Sequence, residues 1–298
     1  MRQVALDMFP TFSKPLEGWT NYMDLDIKGL VTIGMGNLID PWTSDIASLP
    51  WLNDSDDSSA DPDHVKEQWD LVKSRTDLAQ LGGGHFKGLT DVHLSDDGIK
   101  QVIAKRLALN EDQFRQTFPS YDDWPADAHL AINSFAWGRG PALPGMPGTQ
   151  NYYPKFTAAL QENPPDFNTA ADECIMNPQV GTIILRNDAN VHLFKDAAIT
   201  QQNNLDPDHL SFTGWDGRTA QWDDPNPASG GGGTSTFRQA VSGIVGPAVV
   251  ARGGGLGTAF VWILGVAGLA VGGSMAYRAI TGKAGHSPSV LQKRASSR

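Results

Sequence analysis

The chain has 298 residues with 40% hydrophobic and 9% aromatic content, enough for a substantial core and too apolar for wholesale disorder. Its net charge of −10 is unevenly spread: residues 1–205 hold 28 acidic against 15 basic side chains, whereas residues 225–298 hold 7 basic and no acidic ones. An acidic N-terminal part argues against a nucleic-acid partner, and the single cysteine, Cys174, excludes an internal disulfide or a cysteine metal cage.

From Met1 to Pro10 there is one basic residue and no sustained apolar run, so the folded domain is expected to start there rather than a secretory signal. A first helix is expected to end near Glu17. After a turn at Lys28-Gly29, Val31, Ile33 and Met35 alternate with Thr32, Gly34 and Gly36, the period of a small β-hairpin. The run NDSDDSSADPD at 53–63 lacks the glycine and terminal glutamate of an EF-hand and reads as a solvated loop. Gly82-Gly83-Gly84-His85 lacks the Lys-Ser/Thr of a phosphate loop and reads as a flexible loop.

Helices are predicted at about 63–80, 95–117, 126–138, 152–162, 167–176 and 182–198. The second opens on Ser95-Asp96-Asp97, a cap with acids at the positive end of the helix dipole, and carries Ile99, Val102, Ile103 and Leu107 at helical spacing. Trp19, Trp42, Trp51, Trp137, Trp215 and Trp222 can stack on sugars, although core or rim packing suffices for any one of them.

Residues 206–236 are rich in Asp, Pro, Gly, Ser and Thr and read as a linker, flexible at Gly230–Gly233. Residues 237–280 read as a membrane-associated segment. Within it, 256–277 is a run of 22 residues without a charge, about 33 Å long as a helix and enough to cross a bilayer core. Gly268 and Gly272 offer a surface for helix–helix self-association in the membrane. The tail 281–298 is basic, and Arg278, Lys283, Lys293, Arg294 and Arg298 beyond the span outnumber Arg238 and Arg252 before it. That bias puts the C-terminus in the cytoplasm and the N-terminal domain towards the periplasm, unless the apolar run 239–250 also crosses.

The residues that suggest chemistry lie near the start. Glycoside hydrolysis needs a carboxylic acid to protonate the leaving oxygen and a second group to supply or orient the nucleophile. Glu17 sits in LEGW, Asp26 follows nine residues later, and Thr32 six beyond that in GLVTIGMGN. A helix end and a hairpin across one cleft would bring the three together, with Thr32 and Asp26 holding a water between them.

The run EGWTNYMDLDIKGLVTIGMGNLID resembles the active-site segment of the T-even phage lysozymes, the glycoside hydrolase family of phage muramidases. Glu17, Asp26, Gly29, Thr32, Ile33, Gly34 and Gly36 match its pattern without a gap. The resemblance extends more weakly through ADAHLAINSFAWG, with Asn133, and IILRNDANVHLF, with Arg186, and covers roughly residues 5–200. It implies a helix-rich α+β domain over 1–205, with a small β-hairpin lobe and a larger helical lobe; the C-terminal transmembrane helix expected after it rests on the charge-free run 256–277 instead. It further implies Glu17 as general acid, Asp26 with Thr32 positioning water, and Arg186, Gly36 and Asn133 as orienting or substrate-binding residues. No metal or cofactor is required, and the expected partner is bacterial peptidoglycan, cut between N-acetylmuramic acid and N-acetylglucosamine.

Two departures stand out. Asn37 replaces the histidine that usually follows the Gly-x-Gly pair, and the stretch 38–94 is enlarged beside the cleft. Other functional classes also fit: a non-catalytic wall-binding or virion protein, or a membrane-active pore or toxin acting through 237–280. The acidic domain gives no long-range attraction to an anionic wall, so wall recognition must come from a shaped cleft.

Overall fold

The computed structural model describes residues 1–139, 153–177 and 179–226, and over them the chain is a helix-rich α+β protein with small antiparallel sheets. Helix α1 (Gln3–Glu17) buries Ala5, Phe9, Phe12 and Leu16, spaced four, three and four apart along one face. It stops at Gly18, whose φ of 83° breaks the helical path and whose N–H donates to Lys14 O at 2.9 Å. The break leaves Glu17 on the last turn, three residues before the first strand.

Strands β1 (Thr20–Leu25), β2 (Val31–Gly34) and β3 (Asn37–Leu38) form one antiparallel sheet in that order. The turn between β1 and β2 closes with Asp26 N–H donating to Leu30 O at 2.9 Å, and Gly29 takes a φ of 74°. Asn37 lies buried at the next turn, where its Oδ1 accepts from Met35 N at 3.3 Å. It is therefore the side chain that ties off the tight Gly34–Gly36 turn.

The stretch 38–94 holds α2 (Ser44–Ala47), β4 (Trp51–Asn53), α3 (Pro62–Ser74), a 3-10 turn over Gly83–Phe86 and β5 (Val92–Leu94), which pairs with β4. Helix α3 is shorter than the expected 63–80. Asp61 caps it by accepting from the N–H groups of Asp63 and His64, and Pro62 occupies its first position. It is fastened to the hairpin by Lys73 Nζ donating to Gly29 O at 2.7 Å and by Trp69 Nε1 donating to Ile39 O at 2.9 Å. In the acid-rich loop, Asp54 meets His93 at 2.7 Å.

The helical lobe comprises α4 (Asp96–Thr117), α5 (Ala126–Arg139), α6 (Pro154–Gln161), α7 (Phe167–Glu173) and α8 (Thr182–Gln202). Residues 126–137 of α5 are all buried, as befits a helix surrounded by others. α8 packs most extensively against it and runs four residues past the expected 198.

One sequence expectation needs correction. The linker read over 206–236 is folded in its first part, where β6 (Phe212–Asp216) and β7 (Thr219–Trp222) form an antiparallel hairpin. Ala126 N–H donates to Pro207 O at 2.8 Å, and the Ser211 N–H and hydroxyl both donate to Asp127 Oδ1, at 2.9 and 2.8 Å. Phe212 meets Phe12 edge-on at 4.9 Å, and Trp215 Nε1 donates to Phe12 O at 3.0 Å. Polar, turn-forming composition masked three aromatic anchors, Phe212, Trp215 and Trp222. The rest of the linker, the apolar segment 237–280 with the span 256–277, and the tail 281–298 lie outside the described residues. Among the described residues, no helix is long and apolar enough to cross a membrane.

Candidate active site

The C-terminal turn of α1 presents the Glu17 carboxylate to Arg186, on the first turns of α8, which donates to it through Nη2. Arg186 is 1% exposed, while the Glu17 side chain keeps 15% of its surface open to solvent. The other guanidinium nitrogen, Nη1, donates to Ser134 O at 2.8 Å and to Ser134 Oγ at 3.3 Å, so α5 holds the arginine from behind. Burial lowers the pKa of Arg186, and the adjacent Glu17 charge opposes that shift. A buried guanidinium is tolerable because its donors are spent on a carboxylate and a backbone carbonyl.

Gly138 makes room for this arrangement. A Cβ there would stand 3.0 Å from Arg186 Cδ and 3.1 Å from Nε, tighter than side chains normally pack.

A second arginine closes the cluster. Arg106 on α4 lies over the Trp137 ring at 3.9 Å and donates to Trp137 O at 3.4 Å. Burial pushes its pKa down to about 10, with Glu17 opposing and Arg186 adding to the shift. Trp137 Nε1 donates to Met35 O at 3.2 Å, tying α5 to the turn between β2 and β3. Arg186 thus joins α1, α5 and α8 at Glu17, and through Trp137 the cluster extends to Arg106 on α4 and the turn between β2 and β3, with Arg106 close enough to feel the Glu17 charge. Sequence reasoning missed Arg106. The available signal was a cation within the apolar stripe of α4, one turn after Val102 and one residue before Leu107.

The hairpin supplies a second group of polar side chains. Asp24 and Thr32 are paired residues of β1 and β2, and the Thr32 hydroxyl donates to Asp24 Oδ1. Burial, the largest cause, raises the pKa of Asp24 to about 6; the Thr32 hydroxyl lowers it and the nearby Asp26 charge raises it. Gly83 covers the other side, where a Cβ would overlap Asp24 Oδ2. Gly83, Gly84 and His85 of the expected flexible loop thus belong to a 3-10 turn, Gly83–Phe86, seated on a carboxylate.

Asp26 has a different task. Its Oδ1 accepts from Lys28 N at 2.8 Å and from Leu30 N at 2.9 Å, which builds the turn into β2. The Thr32 proton goes to Asp24, the residue directly opposite it in the sheet, while Asp26 lies two residues further along the chain, at the turn. Gly36 shapes the following turn with a φ of 71°.

Asn133 is a correction. It is fully buried on α5, and its amide donates to His129 O at 3.0 Å. A side chain enclosed in the core beside Tyr121 and Met1 cannot touch a polymeric substrate, so its role is packing.

Compared with known proteins, the chain matches no family model, no curated protein and no solved structure.

Proposed function

We propose that the chain is a peptidoglycan-degrading muramidase of the phage lysozyme type, hydrolysing the β-1,4 bond between N-acetylmuramic acid and N-acetylglucosamine. The observation that carries this reading is the partly exposed Glu17 carboxylate, held at the end of α1 by a buried arginine on α8, three residues before the strand that opens a hairpin with its own carboxylates. General acid catalysis needs a carboxyl fixed against the leaving oxygen rather than swinging in solvent. Arg186, anchored on Ser134, supplies that fixation, and the Arg106 charge adds to the positive field at Glu17.

In the reaction Glu17 gives its proton to the leaving 4-oxygen of N-acetylglucosamine as the glycosidic bond breaks. Water attacks the anomeric carbon from the opposite face and passes its proton to a hairpin carboxylate. In this reading residues 256–277 tether the enzyme to a lipid membrane with the catalytic lobes towards the wall.

The test is turnover by the full chain, solubilised in mild detergent, on purified peptidoglycan. Release of reducing muramic ends by wild type, with a loss of at least ~100-fold in Glu17→Gln, is the expected result. Wall binding without release of reducing ends would instead make the chain a binding module. Lysis of cells by Glu17→Gln at the wild-type level would shift the activity to residues 237–280.

A further inference from the structure

Resting on the muramidase reading, we propose that Asp24, held by Thr32 and roofed by Gly83, is the carboxylate that takes the proton of the attacking water. Three observations separate it from Asp26.

Firstly, Asp26 is engaged in the turn. One of its oxygens accepts two backbone N–H groups, and losing it would loosen the reversal from β1 to β2. Secondly, the Thr32 hydroxyl has a single proton and donates it to Asp24. The Thr32 oxygen keeps its lone pairs and can accept from a water lying beside both groups, so Thr32 and Asp24 form the water-holding pair. Thirdly, Asp24 is half-buried under Gly83, the one residue type that leaves its carboxylate undisplaced there. Burial also makes Asp24 a stronger base than an exposed aspartate, since its pKa stands at about 6.

The step balances as follows. A water oxygen forms the new bond to the anomeric carbon while the bond to the leaving 4-oxygen breaks. Glu17 loses its proton to that oxygen, and Asp24 gains the proton that the water gives up. Exchange with solvent then resets both carboxyls.

The experiment measures kcat and KM for release of reducing ends from purified peptidoglycan by the full chain, as wild type, Glu17→Gln, Asp24→Asn and Gly83→Ala. Asp24→Asn is expected to lower kcat by at least ~100-fold with little change in KM. Gly83→Ala, whose new methyl displaces the Asp24 carboxylate, is expected to lower kcat by about tenfold or more, and it decides the matter if Asp24→Asn fails to fold. A folded Asp24→Asn, or Gly83→Ala in its place, that turns over at the wild-type kcat while Glu17→Gln is inactive overturns the assignment of Asp24 alone. No turnover by wild type overturns the muramidase reading and this assignment with it.

Discussion

Asp127 offers the sharpest test of the packing. It is fully buried at the start of α5, where Oδ1 accepts both the N–H and the hydroxyl of Ser211 and Oδ2 meets no donor. Burial, reinforced by the charge of Asp196 on α8, raises its pKa from 3.8 to about 7, with the Ser211 donors acting against the shift. Between those two values the folded chain holds a proton that the unfolded chain releases, so stability falls as pH rises. The full effect is present below about pH 4 and is lost above about pH 7; the gap corresponds to about 4 kcal/mol. In Asp127→Asn the amide oxygen still accepts from Ser211, and this pH dependence disappears.

Unfolding free energies of the two full chains, from urea titrations read by tryptophan fluorescence, should therefore diverge. The variant gains about 4 kcal/mol relative to wild type between about pH 4 and pH 8. Parallel stability curves for the two proteins over that range would refute the burial argument, because an exposed or well-solvated Asp127 has no such penalty.

Further expectations concern the site and the C-terminal hairpin. Arg186→Met leaves Glu17 without its partner and should lower stability by about 3 kcal/mol, visible in Tm, together with a fall in turnover. Gly138→Ala sets a gain in helix propensity of about 1 kcal/mol against a methyl pressed on Arg186. Because that guanidinium is tethered to Ser134 and Glu17, it cannot yield, and a net loss on the order of 1 kcal/mol should appear in urea unfolding. Phe212→Ala should cost about 3–5 kcal/mol; a negligible change in Tm would return 206–222 to the status of a linker. Finally, with Asp24 acting as base, kcat should fall as pH drops below about 6, and a pH profile of Asp24→Asn should lack that limb.

Much of the fold is legible from periodicity. The buried face of α4 contains Ile99, Ile103 and Leu107 from the predicted stripe, and Ser95 accepts from Gly98 N at 3.1 Å as the expected cap. α5 is buried all round although Asp127, His129, Asn133 and Ser134 interrupt its apolar residues, so its burial is only partly legible in the sequence. What spacing cannot carry is the meeting of distant segments. Glu17 and Arg186 stand 169 positions apart, and only the resemblance to a known motif suggested that they meet. Arg106 was overlooked because a single cation on a long amphipathic helix is ordinarily solvated, and its partner Trp137 lies on another helix. The hairpin β6–β7 was overlooked for the opposite reason: its composition is that of a loop, and its stability comes from three aromatic side chains and one buried aspartate rather than from a continuous apolar pattern.

The pairing of Asp24 with Thr32 is a different kind of omission, since it hangs on the length of one turn. A tight reversal about Lys28 pairs residues equally far on either side of it: Asp26 with Leu30, Leu25 with Val31, and Asp24 with Thr32. Directly opposed side chains approach to about 5 Å, whereas diagonal neighbours stand about 7–8 Å apart. A three-residue loop Ile27–Gly29, centred on Lys28, makes Asp24 the cross-strand neighbour of Thr32 and leaves Asp26 on the diagonal, next to the turn it caps, whereas a two-residue loop at Lys28-Gly29 would oppose Leu25 to Thr32. Counting intervals along the chain, as a motif does, records which residue types recur but says nothing of strand register. The register follows from the length of the turn as well as its place, and the three-residue loop selects which of the two aspartates the threonine hydroxyl can reach.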